Sequence, residues 1–241
     1  MTPTLKEETV QYPSEGVTMR AYVAAPEGTG PFPAVIVVQE WWGLNDHIKD
    51  IARRLAREDY VAIAPDLYTR LGHKVTADPN EAGQLMNSLR QEDGLKDLNA
   101  TVAYLKTRAD VRRDRIGITG FCMGGGYALL LPCINAEIKA AVPYYGPIPN
   151  PDTPLQQLAA PILYIFGEDD GWITKADVER LRTALKTYQK AGEIKTYPGC
   201  PHAFFNDTRP DVYKAAEAQD AWTRTLAFFA QHLKGEPVQS S

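Results

Sequence analysis

The sequence predicts a single α/β domain with a mostly parallel central sheet and helices on both of its faces. Short apolar runs of strand length alternate along the 241 residues with longer stretches whose apolar residues recur at helical spacing. Strands separated by helices favour parallel pairing through right-handed crossovers. The chain is 44% hydrophobic and 23% charged, as expected for a globular chain with a substantial core. One domain can reach about 250 residues, so residues 1–241 are expected to form one.

The strand-like runs come in a regular order. Residues 17–25 alternate like an antiparallel edge strand, and the Pro/Gly-rich stretch 26–33 turns the chain back. The remaining runs read as buried strands: residues 34–40, 60–67, 115–122, 138–145, 162–167 and 193–197.

Helices are predicted between these runs. Asn45 is the expected N-cap of the first, because apolar residues follow it at helical spacing. Residues 68–92 have no clear period, since Gly72, Pro79 and Gly83 interrupt it, and this segment is a candidate cap over a pocket. Further helices are expected at 95–105, 124–133, 176–191 and about 212–233, before a frayed polar tail at 234–241.

Composition argues against several partners. With 26 basic and 30 acidic residues the net charge is −4, so no positive field attracts nucleic acid or an anionic membrane. No apolar run approaches the roughly 18 to 20 residues of a membrane-spanning helix. The first 16 residues lack an apolar signal segment, and three cysteines are too few for a disulfide framework, so a cytoplasmic protein is expected.

The most specific motif is Gly-Phe-Cys-Met-Gly at residues 120–124, which closes an apolar strand and opens a helix. This is the context of a nucleophile elbow. Larger residues in place of Gly120 or Gly124 would clash in so tight a turn. The turn points the Cys122 sulfur out of the sheet at a helix N-terminus, where free N–H groups favour a thiolate with a lowered pKa. The alternative is a buried structural cysteine beside packing glycines.

A nucleophile of this kind needs a histidine base and an acid that orients it, in the chain order nucleophile, acid, histidine. His202 follows the last predicted strand in a turn fixed by Gly199. The acid is Asp169 or Asp170, which the residues alone do not separate. Both loops lie at the carboxyl edge of the parallel strands, where ligands bind. The remaining histidines are expected to be solvated: His47, His73 and His232.

Several separated motifs occur in this chain in the same order as in a known family. They are residues 39–45 (QEWWGLN), 65–68 (PDLY), 120–125 (GFCMGG), 144–146 (YYG) and 199–204 (GCPHAF). The chain resembles the dienelactone hydrolases, or carboxymethylenebutenolidases, over roughly residues 17–233. The resemblance implies an α/β-hydrolase fold, a catalytic cysteine, and hydrolysis of a small-molecule ester or lactone without a metal or organic cofactor.

The resemblance also implies roles for individual residues. It places the nucleophile on Cys122 and the base on His202, and it selects Asp170 as the acid. Glu40 matches an acidic residue that pairs with the thiol and helps to form the thiolate when substrate binds. Backbone N–H groups of Trp41 and Met123 are expected to form the oxyanion hole. The candidate pocket walls, which could equally be ordinary core, are aromatic: Trp42, Tyr145 and Trp172.

The predicted reaction is acyl transfer through a thioester, followed by hydrolysis. The protein is expected to act as a monomer or homodimer. Two other functions stay open: a thiol-dependent acyltransferase or amidase on the same scaffold, and a binding module that has lost the chemistry.

The sequence departs from the family pattern where the substrate's charge is recognised. Enzymes specialised for dienelactone hold its carboxylate with two arginines, one of them four residues beyond the histidine. That position is Asn206 here, and residues 77–87 contain no arginine, although Arg90 and Arg209 lie on neighbouring loops. A carboxylate without its partner is costly to desolvate. Neutral aryl esters and lactones, and other neutral electrophiles such as phosphotriesters, are therefore expected to be preferred over dienelactone.

Overall fold

The computed structural model describes residues 4–235 as an eight-stranded sheet flanked by helices. The strands in this part of the chain are β1 (Leu5–Ser14), β2 (Val17–Pro26), β3 (Phe32–Val38), β4 (Val61–Pro65), β5 (Val111–Phe121), β6 (Ile138–Tyr144), β7 (Ile162–Gly167) and β8 (Gly192–Tyr197). The helices are α1 (Asp46–Ala56), α2 (Pro79–Ser88), α3 (Gln91–Thr107), α4 (Met123–Ile134), α5 (Lys175–Thr187) and α6 (Ala215–Phe229). Short 3₁₀ turns occur at Thr69–Leu71 and Thr153–Gln157.

The strand order is β1-β2-β4-β3-β5-β6-β7-β8. Strands β3 to β8 pair in parallel, while β1 with β2 and β2 with β4 are antiparallel. Helices α3 and α4 pack together on one face, and Phe229 and Leu233 contact Gly117 of β5 from the other. The predicted fold class, a mostly parallel sheet covered by helices on both faces, is confirmed.

The expectation that residues 17–25 form an edge strand is wrong. These residues lie in β2, which is antiparallel as expected, but β1 covers it through a register running from Leu5 opposite Pro26 to Ser14 opposite Val17. Only two residues connect the strands, and Gly16 adopts a φ of 76° there. The exposed face of β1 is polar, and this obscures its alternation in the sequence. Val10 and Tyr12 on its other face are buried.

Residues 68–92 contain more regular structure than their sequence predicts. Pro79 begins α2 instead of interrupting a helix, because proline lacks only an N–H that has no intrahelical partner at this position. Asp78 caps the helix by accepting a hydrogen bond from the Asn80 backbone N–H at 2.9 Å. Asn45 caps α1 as predicted, accepting from the Ile48 N–H at 3.2 Å.

The terminal helix α6 continues into a single π-helical turn, Ala230–Lys234. Lys234, the first residue of the predicted tail, donates to the Glu58 carbonyl oxygen at 2.9 Å. Residues 236–241 of that tail lie outside the described residues. Across residues 4–235, no helix has the length and apolar character needed to cross a membrane.

Candidate active site

The elbow forms as its glycines predict. Cys122 lies between β5 and α4 with a φ of 56° and a ψ of −123°, a conformation that is costly for a residue with a side chain. A Cβ atom on Gly120 would lie 2.1 Å from the Gly124 carbonyl oxygen. One on Gly124 would lie 2.4 Å from the carbonyl oxygens of Val38 and Gln39. No larger residue fits at either position without moving the backbone that carries the thiol.

His202 and Asp170 meet at the carboxyl edge of the sheet. His202 Nδ1 and Asp170 Oδ2 are 2.7 Å apart, and the aspartate side chain is fully buried. The other oxygen, Oδ1, accepts from the backbone N–H groups of Trp172 at 2.7 Å and Ile173 at 2.9 Å. These bonds fix the orientation of the Asp170 carboxyl group and, through it, the ring orientation of His202. Asp169, the competing candidate, is exposed.

A cavity of about 240 Å³ opens beside these residues. Its lining consists of Glu40, Trp41, Trp42, Met86, Cys122, Trp172, His202, Ala203 and Arg209. Glu40 follows β3, Cys122 follows β5 and His202 follows β8, so the carboxyl ends of separate strands converge on it. Met86 belongs to α2, so the predicted cap segment contributes to the cavity wall.

The thiol of Cys122 is not the acidic group that its helix position suggests. Burial and the neighbouring charge of Glu40 raise its pKa, and the N–H groups of Met123 and Trp41, which donate to the sulfur, lower it only in part. The expectation of a lowered pKa in the resting protein is therefore wrong, because desolvation of a fully buried thiolate outweighs the helix N-terminus. The two predicted oxyanion donors face the sulfur itself.

Glu40 is buried, with 1% of its surface exposed, and no lysine, arginine or histidine within residues 4–235 forms a direct ion pair with it. Its Oε2 accepts a hydrogen bond of 2.9 Å from Asn206 Nδ2. The amide is held in this orientation because Asn206 Oδ1 accepts from the backbone N–H of Thr208 at 3.0 Å. Burial raises the pKa of Glu40 to about 7, while Asn206 and the more distant Arg209 oppose the rise. The carboxyl group therefore gains and loses its proton near neutral pH.

The loop that carries Trp41 is held from two sides. Tyr68 Oη donates to the Trp41 carbonyl oxygen at 2.8 Å. Gly43, with a φ of 93°, lets the loop pass close to the segment beyond β4, since a Cβ there would lie 2.3 Å from the Lys74 carbonyl oxygen. These contacts hold in place the loop that carries the Trp41 N–H.

Of the predicted pocket walls, Trp42 and Trp172 line the cavity, whereas Tyr145 is fully buried behind His202, outside the lining. Met86 and Ala203 were not predicted, because neither residue type signals a site. Arg209 lies over the Trp42 ring, 5.7 Å from its centroid, and its Nη2 is 2.7 Å from Asp211 Oδ2.

The prediction that His47 is a solvated residue is wrong. It is 3% exposed, its ring lies against Phe121, and Nδ1 is 3.4 Å from Asp207 Oδ1. The loop after His202 covers the first turn of α1 and so encloses the ring. Burial lowers the pKa of His47, which favours the neutral form. His73 is half-buried and pairs with Asp66 at 2.8 Å, and the ring of His232 packs on Phe228.

Comparison with known proteins finds relatives over nearly the whole chain. The sequence profile of the Dienelactone hydrolase family matches residues 19–233. A "Putative carboxymethylenebutenolidase" of Yersinia pestis is 41% identical over 234 residues, covering 91% of this chain and 86% of the relative. One of the same description from Synechocystis is 36% identical over 97% of this chain and 100% of the relative.

The crystal structure of a "Putative Dienelactone Hydrolase" from Klebsiella pneumoniae superposes with a TM-score of 0.89 at 37% identity, over 95% of this chain and 100% of that one. The family profile spans the elbow, the acid loop and the histidine loop, and the relatives match nearly the whole chain. The protein therefore belongs to the dienelactone hydrolase family of α/β-hydrolases.

Proposed function

We propose that the protein hydrolyses carboxylic ester or lactone bonds through a thioester on Cys122, with His202 as base and Asp170 as the acid that orients it. The observation that carries this proposal is the 2.7 Å contact between His202 Nδ1 and Asp170 Oδ2, in a histidine that shares one cavity with the elbow cysteine. This contact occupies His202 Nδ1 and leaves Nε2 available for the reaction with substrate and water. Nε2 has no hydrogen-bond partner among the described residues.

Deprotonation of the neutral thiol is the first step. Glu40 lines the same cavity, and its pKa of about 7 matches a proton acceptor at neutral pH. The proton passes from Cys122 to Glu40, and the electron pair stays on the sulfur. The sulfur then turns toward the substrate carbonyl carbon, and the N–H groups of Met123 and Trp41 become free for the carbonyl oxygen.

Acyl transfer follows. The thiolate bonds to the carbonyl carbon, the tetrahedral intermediate collapses to a thioester, and the leaving oxygen takes up the proton that the thiol released. His202 Nε2 next removes a proton from water, and the resulting hydroxide attacks the thioester. Collapse releases the acid product, and the proton on His202 returns to the Cys122 sulfur.

Substitution of Cys122 tests the proposal. Cys122→Ala should abolish turnover of p-nitrophenyl acetate and leave the thermal unfolding temperature near that of the parent. Iodoacetamide should inactivate the parent by modifying Cys122 ahead of Cys133 and Cys200, because all three are buried but of these only Cys122 lines the cavity. Activity of Cys122→Ala within tenfold of the parent would contradict the mechanism. Product analysis with an added alcohol or amine separates hydrolysis from acyl transfer to another acceptor.

A further inference from the structure

Three buried polar atoms without a hydrogen-bond partner lie at this site, in the part of the chain that the structure describes. They are Glu40 Oε1, His202 Nε2 and the hydroxyl of Tyr145. The proposed mechanism uses the first two and leaves Tyr145 unassigned. Proteins pair nearly all buried polar groups, because an unpaired group has lost its hydrogen bonds to water. A partner that exists only during the reaction would account for this hydroxyl.

The topology places Tyr145 beside the nucleophile. Phe121 pairs with Tyr144 at the ends of β5 and β6, and the Cys122 N–H donates to the Tyr144 carbonyl oxygen at 3.1 Å. Tyr145 is the next residue on its strand, as Cys122 is on the neighbouring one. Its ring is edge-on to the His202 ring, with centroids 5.0 Å apart.

The backbone at Tyr145 is strained. Its φ is 36°, in the left-handed region that aromatic residues rarely adopt. A hydrogen bond of 2.8 Å from its N–H to the Ile165 carbonyl oxygen holds it there. Strain of this kind concentrates at functional sites, where the surrounding structure maintains it.

The ionisable groups that act on the pKa of this hydroxyl are all acids. Burial, followed by Glu40, Cys122, Tyr144 and Asp170, raises the pKa of Tyr145 well above 10. The phenol therefore keeps its proton at neutral pH. A protonated phenol enclosed by ionisable acids is suited to donate a hydrogen bond to an anion.

We propose that Tyr145 is a catalytic residue whose hydroxyl donates a hydrogen bond to the Cys122 thiolate, and this inference rests on the proposed function. When the S–H bond breaks, the proton bonds to Glu40 and the electron pair remains on the sulfur. The phenol O–H bond stays intact throughout. A hydrogen bond to the charged form lowers the pKa of the thiol and raises the fraction of reactive thiolate. In the resting site the thiol is neutral, and the hydroxyl stays unpaired.

Tyr145→Phe removes only this hydroxyl. The rate of Cys122 alkylation by iodoacetamide, followed against pH by peptide mass spectrometry, reports the thiolate without any ester turnover. We expect the apparent pKa of Cys122 to rise by about one unit, which is a roughly tenfold slower alkylation at pH 7. The kcat for p-nitrophenyl acetate should fall by a similar factor with little change in KM. The unfolding temperature should stay the same or rise, because no hydrogen bond is lost.

Tyr144→Phe is the matched control. Its hydroxyl is equally buried but lies 2.6 Å from Thr225 Oγ1, on the side of the sheet that carries α6. This variant should unfold at a lower temperature and keep the parent's alkylation profile. Superimposable profiles for Tyr145→Phe and the parent would overturn the proposal. If Cys122→Ala is inactive while those profiles superimpose, only the role of Tyr145 fails; if Cys122→Ala is active, the proposed function fails.

Discussion

At the scale of single residues, Glu40 is a buried carboxyl group without a direct cationic partner among residues 4–235. A buried carboxyl group is normally paired with a cation, but the direct partner here is the neutral amide of Asn206. An amide donor can bond to a carboxylate and to a carboxylic acid alike, so it does not hold Glu40 in the charged state. The result is a carboxyl group that titrates near neutral pH beside a thiol.

Glu40→Gln keeps the shape of the side chain and an oxygen for Asn206, but it removes the titration. The kcat/KM of the parent should rise with pH through an inflection near 7, because that profile reports the free enzyme and Glu40 must be ionised to accept the thiol proton. In Glu40→Gln this inflection should be lost, together with most of the rate. A profile of unchanged shape at the parent's rate would make Glu40 a purely structural residue.

The same substitution has a predictable effect on stability. The pKa of Glu40 is raised in the folded protein, so its contribution to stability is complete below pH 4.5 and is lost as the pH rises through about 7. A shift of that size corresponds to roughly 3 kcal/mol. Glu40→Gln should therefore unfold at a higher temperature than the parent at pH 8 and at nearly the same temperature at pH 4.5. Scanning calorimetry at both pH values measures the difference in unfolding temperature between Glu40→Gln and the parent. A difference that becomes smaller as the pH rises would contradict this prediction.

The proposed triad shows how far single residues could be assigned from the sequence. Cys122 and His202 follow from the turn chemistry around them. Asp169 and Asp170 are adjacent, and only the path of the loop decides which one faces the histidine. The buried position of His47 depends on a loop about 160 residues further along the chain, which no local pattern encodes.

At the scale of secondary structure, the elbow depends on the close approach of β3 to the first turn of α4. Gly124→Ala places a Cβ against two backbone carbonyl oxygens that cannot rotate away. We expect this variant to lose about 2 kcal/mol of stability and most of its activity, since the displaced turn carries the thiol and the Met123 N–H. Gly171→Ala is the control, because a Cβ at Gly171 meets nothing within 4 Å. Equal unfolding temperatures and activities for the two variants would refute this account of the turn.

Strands and helices were predictable where their residues are apolar and regular. Strands β3, β4, β6 and β7 are short, largely buried runs, and the sequence locates them, together with β5 and β8, within a few residues. By contrast, β1 begins with exposed Lys6, Glu7 and Glu8 on both of its faces, so only Val10 and Tyr12 mark its buried face. Helix α2 has a single buried residue, Ala82, so it lacks a clear apolar period. Pro79 and Gly83, which usually disfavour helix, make its start hard to predict from the sequence.

At the scale of the whole molecule, the net charge and the charged residues around the cavity affect which substrates the protein can bind. The net charge is −4, and the only arginine in the cavity lining, within residues 4–235, is Arg209, which pairs with Asp211 and lies over Trp42. An anionic substrate would have to compete with Asp211 for that guanidinium. The remaining walls are largely tryptophan and methionine, which suit an uncharged acyl or aryl group.

We therefore expect a higher kcat/KM for p-nitrophenyl acetate than for dienelactone, measured side by side at pH 7. At pH 8.5, where Glu40 should be ionised with or without the charge of Arg209, Arg209→Gln should change the value for the neutral ester less than twofold, because the guanidinium makes no contact that the neutral substrate needs. A dienelactone value ten or more times higher than that for the ester would contradict the preference. A selective loss of dienelactone turnover in Arg209→Gln would then identify Arg209 as the carboxylate-binding residue.

The central claim is that Cys122 carries the acyl group, and trapping that intermediate tests it most directly. His202→Ala should accept an acyl group from p-nitrophenyl acetate but hydrolyse it slowly, because no base activates water. Rapid quenching and peptide mass spectrometry should then find one acetyl group, on Cys122, that hydroxylamine removes as expected for a thioester. Full turnover by Cys122→Ala, or an acetyl group that forms at another residue at the rate of turnover, would contradict the account.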